Sequence, residues 1–472
     1  MDINKNKSQF QMEQDHLLQT ILNYRFIYPW KGITGKGDRS DIKHDAHLEL
    51  YITNQCNQKC SYCYLTKHPE LYPEHTSNET ILKNLRILYN YIFSNNLHIP
   101  HIDMFSGEIW QSQLGYDVLS LTLEYINKGM DTQFIMIPSN CSFVASDKTL
   151  RPIQEFIDKF HETGTSLIFS ASVDGKYIDC ANRPRNDPSF LYTDDFYERL
   201  FAFCKKNNFF FHPMIAAENI SLWFDNYKWW IYQLEKYELN ENIMMYLEVR
   251  NSDWTDEAIK CYCKLLITMA EHFKDKYCEG KIELLGNAMC GGRSLPEKIQ
   301  IQGYIPWFFT ETDNFIGCSA GEYMVVRIGD LAICPCHRTS YNKYLYGYFD
   351  VENDEIVGVH ACNVQMAIKV LMTNFSHCIP VCDTCLYNDC CLRGCLGSQL
   401  ETTGDPFFPS KNVCHFFHNK MNTLARYIDE SGILDYLKTF EEIEFGYENA
   451  QKIITICEKL KEANYPDDVG EH

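Results

Sequence analysis

The chain has 472 residues, an apolar fraction of 45% and a formal net charge of -20. That length exceeds what one hydrophobic core usually supports, so two or more domains are expected, and the acidic balance argues against a nucleic-acid partner, which would need a basic footprint. The N-terminus is polar without an apolar signal segment, and no stretch reaches the roughly 18 apolar residues of a membrane span. The 22 cysteines are therefore expected in a reducing cytoplasm, binding metal and not forming disulfides.

Residues 1–46 read as an accessory segment, with helical spacing over 11–24. The glycines at 32, 35 and 37 belong to a plain loop, because no strand precedes them as a phosphate cradle requires. From residue 47 the pattern becomes strand, loop, helix, repeated. Strands are predicted at 47–53, 102–106, 133–139, 166–172, 209–215 and 243–249, with helices between them at 76–93, 150–162 and 193–206. Such alternation predicts parallel βαβ units. The fold class is α/β: a partial (β/α)6 TIM barrel over 47–254, short of a full eight units. A bridging region at 255–315 opens with a helix over 255–277. A small cysteine-rich domain follows at 316–416, and C-terminal helices fill 417–472.

The first strand runs straight into Cys56-Asn-Gln-Lys-Cys60-Ser-Tyr-Cys63. Zinc and most iron–sulfur sites take four protein ligands. Three thiols in one loop leave a metal position open for a small molecule. The other strands also end in polar clusters: Ser106-Gly107-Glu108, Ser139-Asn140, Ser172-Val-Asp174-Gly175, and Glu248-Val-Arg250-Asn-Ser-Asp253. In parallel α/β barrels the C-terminal strand ends form the active-site face. Taken singly, Ser-Asn and Asp-Gly are ordinary turn dipeptides, and Glu248 can equally be an ion pair at a strand end. His101 and His212 read as structural.

The Cys-x3-Cys-x2-Cys loop resembles the signature of radical S-adenosylmethionine (SAM) enzymes. The resemblance implies a [4Fe–4S] cluster on Cys56, Cys60 and Cys63, whose open iron chelates SAM. Tyr62 holds the place that packs near the adenine. Ser106-Gly107-Glu108 resembles the family's Gly-Gly-Glu motif for the SAM amino group, with Ser for the first Gly and Ile109 for the Pro that often follows. Ser139, Asn140, Ser172 and Asp174 resemble the ribose and carboxylate contacts, with Arg183 and Arg185 as further candidates.

From Cys318 to Cys414 the spacing is Cys318-x10-Gly329-x4-Cys334, then Cys382-x2-Cys385-x5-Cys391-x3-Cys395, then Cys414. This resembles the seven-cysteine SPASM domain of radical SAM peptide maturases. Two auxiliary [4Fe–4S] clusters are thereby implied, so that three clusters and SAM are the expected cofactors. One would take Cys382, Cys385, Cys391 and Cys414; the other Cys318, Cys334 and Cys395. The fourth ligand of the latter is left between Cys290, Cys336, Cys362, Cys378 and an open iron. Structural zinc is the alternative for Cys-x2-Cys pairs, but the x5 and x3 spacings favour iron.

The function this implies is a maturase of ribosomally made peptides, in which a 5'-deoxyadenosyl radical takes hydrogen from a peptide to form a thioether or carbon–carbon cross-link. Ferredoxin or flavodoxin would supply the electron. Residues 1–46 are too few for a winged-helix leader-binding domain, so that domain is expected to be absent or supplied by a separate leader-binding protein; no nucleic acid or membrane is expected. The enzyme alternative is formylglycine formation of the anaerobic sulfatase-maturase type, with Glu248 or Asp253 as catalytic base. The alternative from another class is a non-catalytic metal-binding scaffold or electron-transfer protein.

Overall fold

The computed structural model describes residues 7–27, 47–105, 107–187, 192–290, 320, 324–373, 380–391, 395–442 and 446–466. Its strands, in chain order, are β1 (His47–Tyr51), β2 (His101–Phe105), β3 (Phe134–Ser139), β4 (Ser166–Ala171), β5 (Phe209–Phe211), β6 (Met214–Ile215), β7 (Leu247–Glu248), β8 (Met324–Arg327), β9 (Ala332–Cys334), β10 (Gly347–Glu352) and β11 (Glu355–Ala361). Two compact units result. The first comprises residues 1–173, 179–211 and 319–373; the second comprises 174–178, 212–318 and 374–472.

The first unit is built on a nine-stranded sheet of order β11-β10-β9-β8-β1-β2-β3-β4-β5. β1 to β5 are parallel neighbours in chain order, and β8 pairs parallel with β1 on its other side. Side chains alternate across the strands. Leu48 and Leu50 of β1, Ile102 and Met104 of β2, and Ile135 and Ile137 of β3 are all fully buried. Each such side chain is worth about 1.5–3 kcal/mol of burial. The opposite faces of β1 and β2 carry His47, Glu49 and Tyr51, and His101, Asp103 and Phe105, in direct register. Polar side chains thus sit at the first and third positions of this face on both strands, with aromatic ones at the fifth.

Helices start where the sequence offers a cap. Ser77, Ser146 and Thr193 each accept the N–H three residues on, opening Asn78–Ser94, Asp147–Glu162 and Asp194–Cys204, which supplies one orphan donor of each first turn with a partner. The N-terminal helix, Gln9–Ile27, is pinned to the β10–β11 hairpin. Asp15 accepts the Ala361 N–H at 2.8 Å, and Lys7 pairs with Asp15 at 2.7 Å and Asp350 at 3.1 Å.

Two strand expectations are corrected. The segment 209–215 is not one strand: β5 stops at Phe211, because Pro213 has no N–H to continue a ladder. Beyond it, β6 pairs with β7 in a separate parallel ladder of the second unit, Met214 opposite Leu247 and Ile215 opposite Glu248. The sixth parallel strand of the large sheet is β8, from the cysteine-rich stretch where no strand was expected. The β8–β9 turn is tight: a Cβ at Gly329 would come within 2.6 Å of the Thr76 hydroxyl.

The second unit is mainly helical, with Trp223–Lys236, Asp256–Tyr277, Lys411–Glu430 and Tyr447–Glu462 as its longest helices. Trp254 stacks on Phe416 at 4.1 Å between centroids. Among the described residues no helix is long and apolar enough to cross a membrane. The loop at 32–37, Ser106, Cys318 and Cys378 lie outside the described residues.

Candidate functional site

In the first unit the Cys56–Cys63 loop leaves the C-terminal end of β1 and is stitched to the segment 182–186. Lys59 N donates to Pro184 O at 2.9 Å, Ser61 N to Asn182 O at 2.8 Å, and Asn186 N to Asn57 O at 3.0 Å. These bonds tie the loop to that segment and draw Arg183 and Arg185 to it. The Arg183 guanidinium lies 5.3 Å from the centre of the Tyr62 ring. Cys60 is buried, Cys56 and Cys63 partly so. Burial pushes the Cys56 thiol up to about 12, and the nearby Glu108 carboxylate adds to the shift. A metal would reverse this, since ligation deprotonates a thiol outright.

Glu108 is the centre of the polar network. It is fully buried, and burial pushes its carboxyl up to about 7 despite the hydrogen bonds it accepts. Those come from Asn140 N at 2.7 Å, Trp110 N at 3.2 Å and Ser139 Oγ at 3.2 Å. The ends of β2 and β3 therefore meet on one carboxylate. Asn140 in turn donates to Asn57 Oδ1 at 2.6 Å and accepts from Arg185 Nη1 at 3.2 Å. Gly107 is needed for backbone approach: its N–H bonds Thr53 O at 2.7 Å, and a Cβ there would lie 2.1 Å from Gln55 O. Ser172 N bonds Ser139 O at 2.7 Å.

Sequence reasoning singled out Glu108, Ser139, Asn140 and Arg185 one by one; the structure joins them. It missed Asn57 and Gln58, which sit between the cysteines. Gln58 Nε2 donates to Tyr192 Oη at 2.6 Å. Their only sequence signal was amide side chains within a metal-type loop. Asp174 is engaged within the second unit, where it accepts Met214 N at 2.8 Å. The next residue, Gly175, has φ +115° and faces Asn226 and Trp230, where a Cβ would not fit.

In the second unit, Cys382, Cys385, Cys391 and Cys414 line one cavity, together with Arg250 and His418. Cys414 comes from the helix Lys411–Glu430, and His418, one turn on, stacks on Tyr387 with its Nε2 3.8 Å from Cys385 Sγ. Arg250 Nη1 is buried without a hydrogen-bond partner among the described residues. Four thiols and a guanidinium nitrogen lining one cavity fit an anionic metal–thiolate centre. Cys390 is buried and does not line this cavity. Cys395 caps the helix Leu396–Thr403 in the same unit, and Cys334 is buried on β9 of the first unit beside Cys336. Cys362 is exposed, whereas Cys290 is buried against Gly446.

The two carboxylates put forward as bases differ. Glu248 is taken up by Lys420, at 2.5 Å, and by the Tyr262 hydroxyl. Burial opposes its ionisation, but Lys420 and Tyr262 outweigh it and hold the carboxyl below its usual range. Asp253 is exposed.

No family model matches the sequence, and no curated protein does. The fold is shared with solved structures. One, described as "Native anSMEcpe with bound AdoMet", is 13% identical with a TM-score of 0.51 over 84% of this chain and 100% of that one. Another, "Native anSMEcpe with bound AdoMet and Kp18Cys peptide", is 14% identical with a TM-score of 0.53 over 83% and 99%. Identity this low establishes a common fold and nothing finer.

Proposed function

We propose that the chain is a radical SAM enzyme with auxiliary iron–sulfur centres that oxidises a peptide substrate. The observation that carries this reading is the convergence of a three-thiol loop, the buried Glu108 and the Ser139–Asn140 turn at the C-terminal ends of adjacent parallel strands. The fold neighbours support it: they are anaerobic sulfatase-maturating enzymes with bound AdoMet, one also with a peptide.

Cys56, Cys60 and Cys63 would hold a [4Fe–4S] cluster with one iron free for SAM. The chemistry such a cluster and SAM supply when bound is one-electron cleavage to a carbon radical that takes hydrogen from the substrate. Glu108 would accept the SAM ammonium, whose charge offsets the burial that now raises its pKa. Arg183 and Arg185 would hold the SAM carboxylate, and Tyr62 would cover the adenine. Asn140, fixed by Glu108 and Arg185, would orient the ribose, with Ser139 and Ser172 beside it. Cys382, Cys385, Cys391 and Cys414 would hold an auxiliary cluster as a closed four-thiolate set, with Arg250 offsetting its charge. A ferredoxin or flavodoxin would supply the electron.

Two products follow from this machinery. One is a thioether or carbon–carbon cross-link; the other is formylglycine from Ser or Cys. The neighbours favour the second at least as well as the first. The Lys420 pair weighs against Glu248 as the base, because a carboxylate with a depressed pKa is a weak proton acceptor. Anaerobic reconstitution tests the common core: about twelve irons per chain and SAM cleavage with dithionite are expected. Stoichiometric zinc without SAM turnover would overturn it. Mass spectrometry of a Ser- or Cys-containing peptide then separates an aldehyde, trapped by a hydrazide, from a cross-link.

A further inference from the structure

At the opposite end of β1 from the cysteine loop, three donors converge. His47 opens β1 and His101 opens β2, and the two are register partners. Asp103, two residues along β2, faces the same side, since side chains alternate with period two. The imidazoles stack with centroids 3.9 Å apart and planes 10° apart. Both reach one carboxylate: His47 Nε2 is 2.7 Å from Asp103 Oδ2, and His101 Nε2 is 2.9 Å from Oδ1. The three donor atoms all lie within 4.8 Å of one another. Read from sequence alone, His101 was merely a structural histidine.

We propose that His47, His101 and Asp103 bind one divalent transition-metal ion of the zinc type, at a site separate from the cysteine centres. The donor set is right: two imidazole nitrogens and a carboxylate are a first choice for zinc and its neighbours. The charge is right: Asp103 supplies a carboxylate in a nearly dry position, being 2% exposed. His101 Nε2 and Asp103 Oδ1 are buried, and neither makes a hydrogen bond among the described residues, as donor atoms awaiting an ion would. The neighbouring carboxylate on β1 is not available. Glu49, register partner of Asp103, accepts both the backbone N–H and Nδ1 of His337, at 3.0 and 2.8 Å.

Access and separation also fit. The His101 side chain is 34% exposed, which gives an ion a path in. Three protein ligands leave a fourth position for water. Zinc bonds of about 2.0–2.1 Å require the stacked rings to turn out of their parallel arrangement until both planes contain the ion. Four residues of strand, roughly 13 Å, separate His47 from Tyr51 and the cysteine loop beyond it.

The test uses the full chain with its iron–sulfur centres reconstituted, so that the thiols are occupied, then equilibrated with zinc chloride and desalted. Wild type should retain one more zinc per chain than His101→Ala, with equal iron in both. The zinc K-edge spectrum of wild type should show nitrogen and oxygen neighbours, including imidazole scattering, without sulfur. Equal zinc in wild type and variant, or a sulfur-containing shell, would overturn the proposal. If His101→Ala fails to fold, His101→Gln replaces it in the same comparison. The wild-type spectrum decides the matter without any variant.

Discussion

The cysteine loop of the first unit and the cysteine cavity of the second solve different problems. The loop offers three thiols from eight consecutive residues, surrounded by groups that can bind an organic molecule: Glu108, Asn140, Arg183 and Arg185. The cavity draws four thiols from residues 382 to 414 and adds Arg250. Three donors leave coordination open, whereas four close it. The carboxylates repeat the contrast. Glu108 is buried with its pKa raised and, among the described residues, no ion pair of its own, Arg185 acting on it only at longer range. Glu248 already has Lys420 and is held down. Among the described residues the buried carboxylate of the first unit has no ion-pair partner, whereas that of the second has Lys420.

The comparison breaks most completely at the thiols. Replacing Cys56, Cys60 and Cys63 together by Ala should abolish SAM cleavage and remove about four irons, as read by iron analysis and 5'-deoxyadenosine formation. The same change at Cys382, Cys385, Cys391 and Cys414 should lower iron by a similar amount yet leave uncoupled SAM cleavage. SAM cleavage surviving the first triple change would refute the distinction.

Next in size is Lys420→Met, which strands a mostly buried carboxylate. A loss of about 3–5 kcal/mol should appear in denaturant unfolding, and Glu248→Gln in addition should recover part of it. The sign of the pH dependence follows from the depressed pKa of Glu248. The pair's stabilisation is present above the usual carboxylate range and is lost as pH falls through the lowered folded-state value. Lys420→Met should flatten that acid limb; an unchanged limb would show that the pair contributes nothing.

A smaller effect is expected at Glu108. Glu108→Gln removes a charged hydrogen-bond acceptor, worth about 1.5–3 kcal/mol, so SAM binding by the reconstituted protein should weaken about 10- to 100-fold. Equal affinity would remove Glu108 from the ligand site. The smallest effect is electrostatic. Arg250→Gln should move the midpoint potential of the second unit's cluster negative, since a nearby cation favours the reduced, more anionic state. Redox titration followed by electron paramagnetic resonance reads this directly, and an unchanged potential would mean that Arg250 does not face the cluster.

The helix starts at Asn78 and Asp194 fall close to those read from the sequence, whereas Asp147–Glu162 opens three residues before the expected 150, at the cap Ser146. The apolar face of the sheet was readable because Leu48, Leu50, Ile102 and Met104 alternate with polar residues. The break in the fifth strand was signalled by Pro213 and passed over, because the surrounding run Phe209–Phe211 and Met214–Ile215 is uniformly apolar. The place of β8 was not readable, because nothing in a short apolar run says which distant strand it will join.

By itself the sequence determined the local chemistry: three thiols on one loop after a strand, the Gly107-Glu108 turn, and a second thiol set with fixed spacing. Those patterns depend on neighbours a few residues apart, and backbone geometry does the rest. Only the tertiary structure decided which of these groups meet. It put Asn140 on Glu108 across 32 residues, and Lys420 on Glu248 across 172. It also set His47 against His101 by strand register. Such contacts arise from the packing of whole elements, and the free energy that fixes them is spread over cores that no single motif contains.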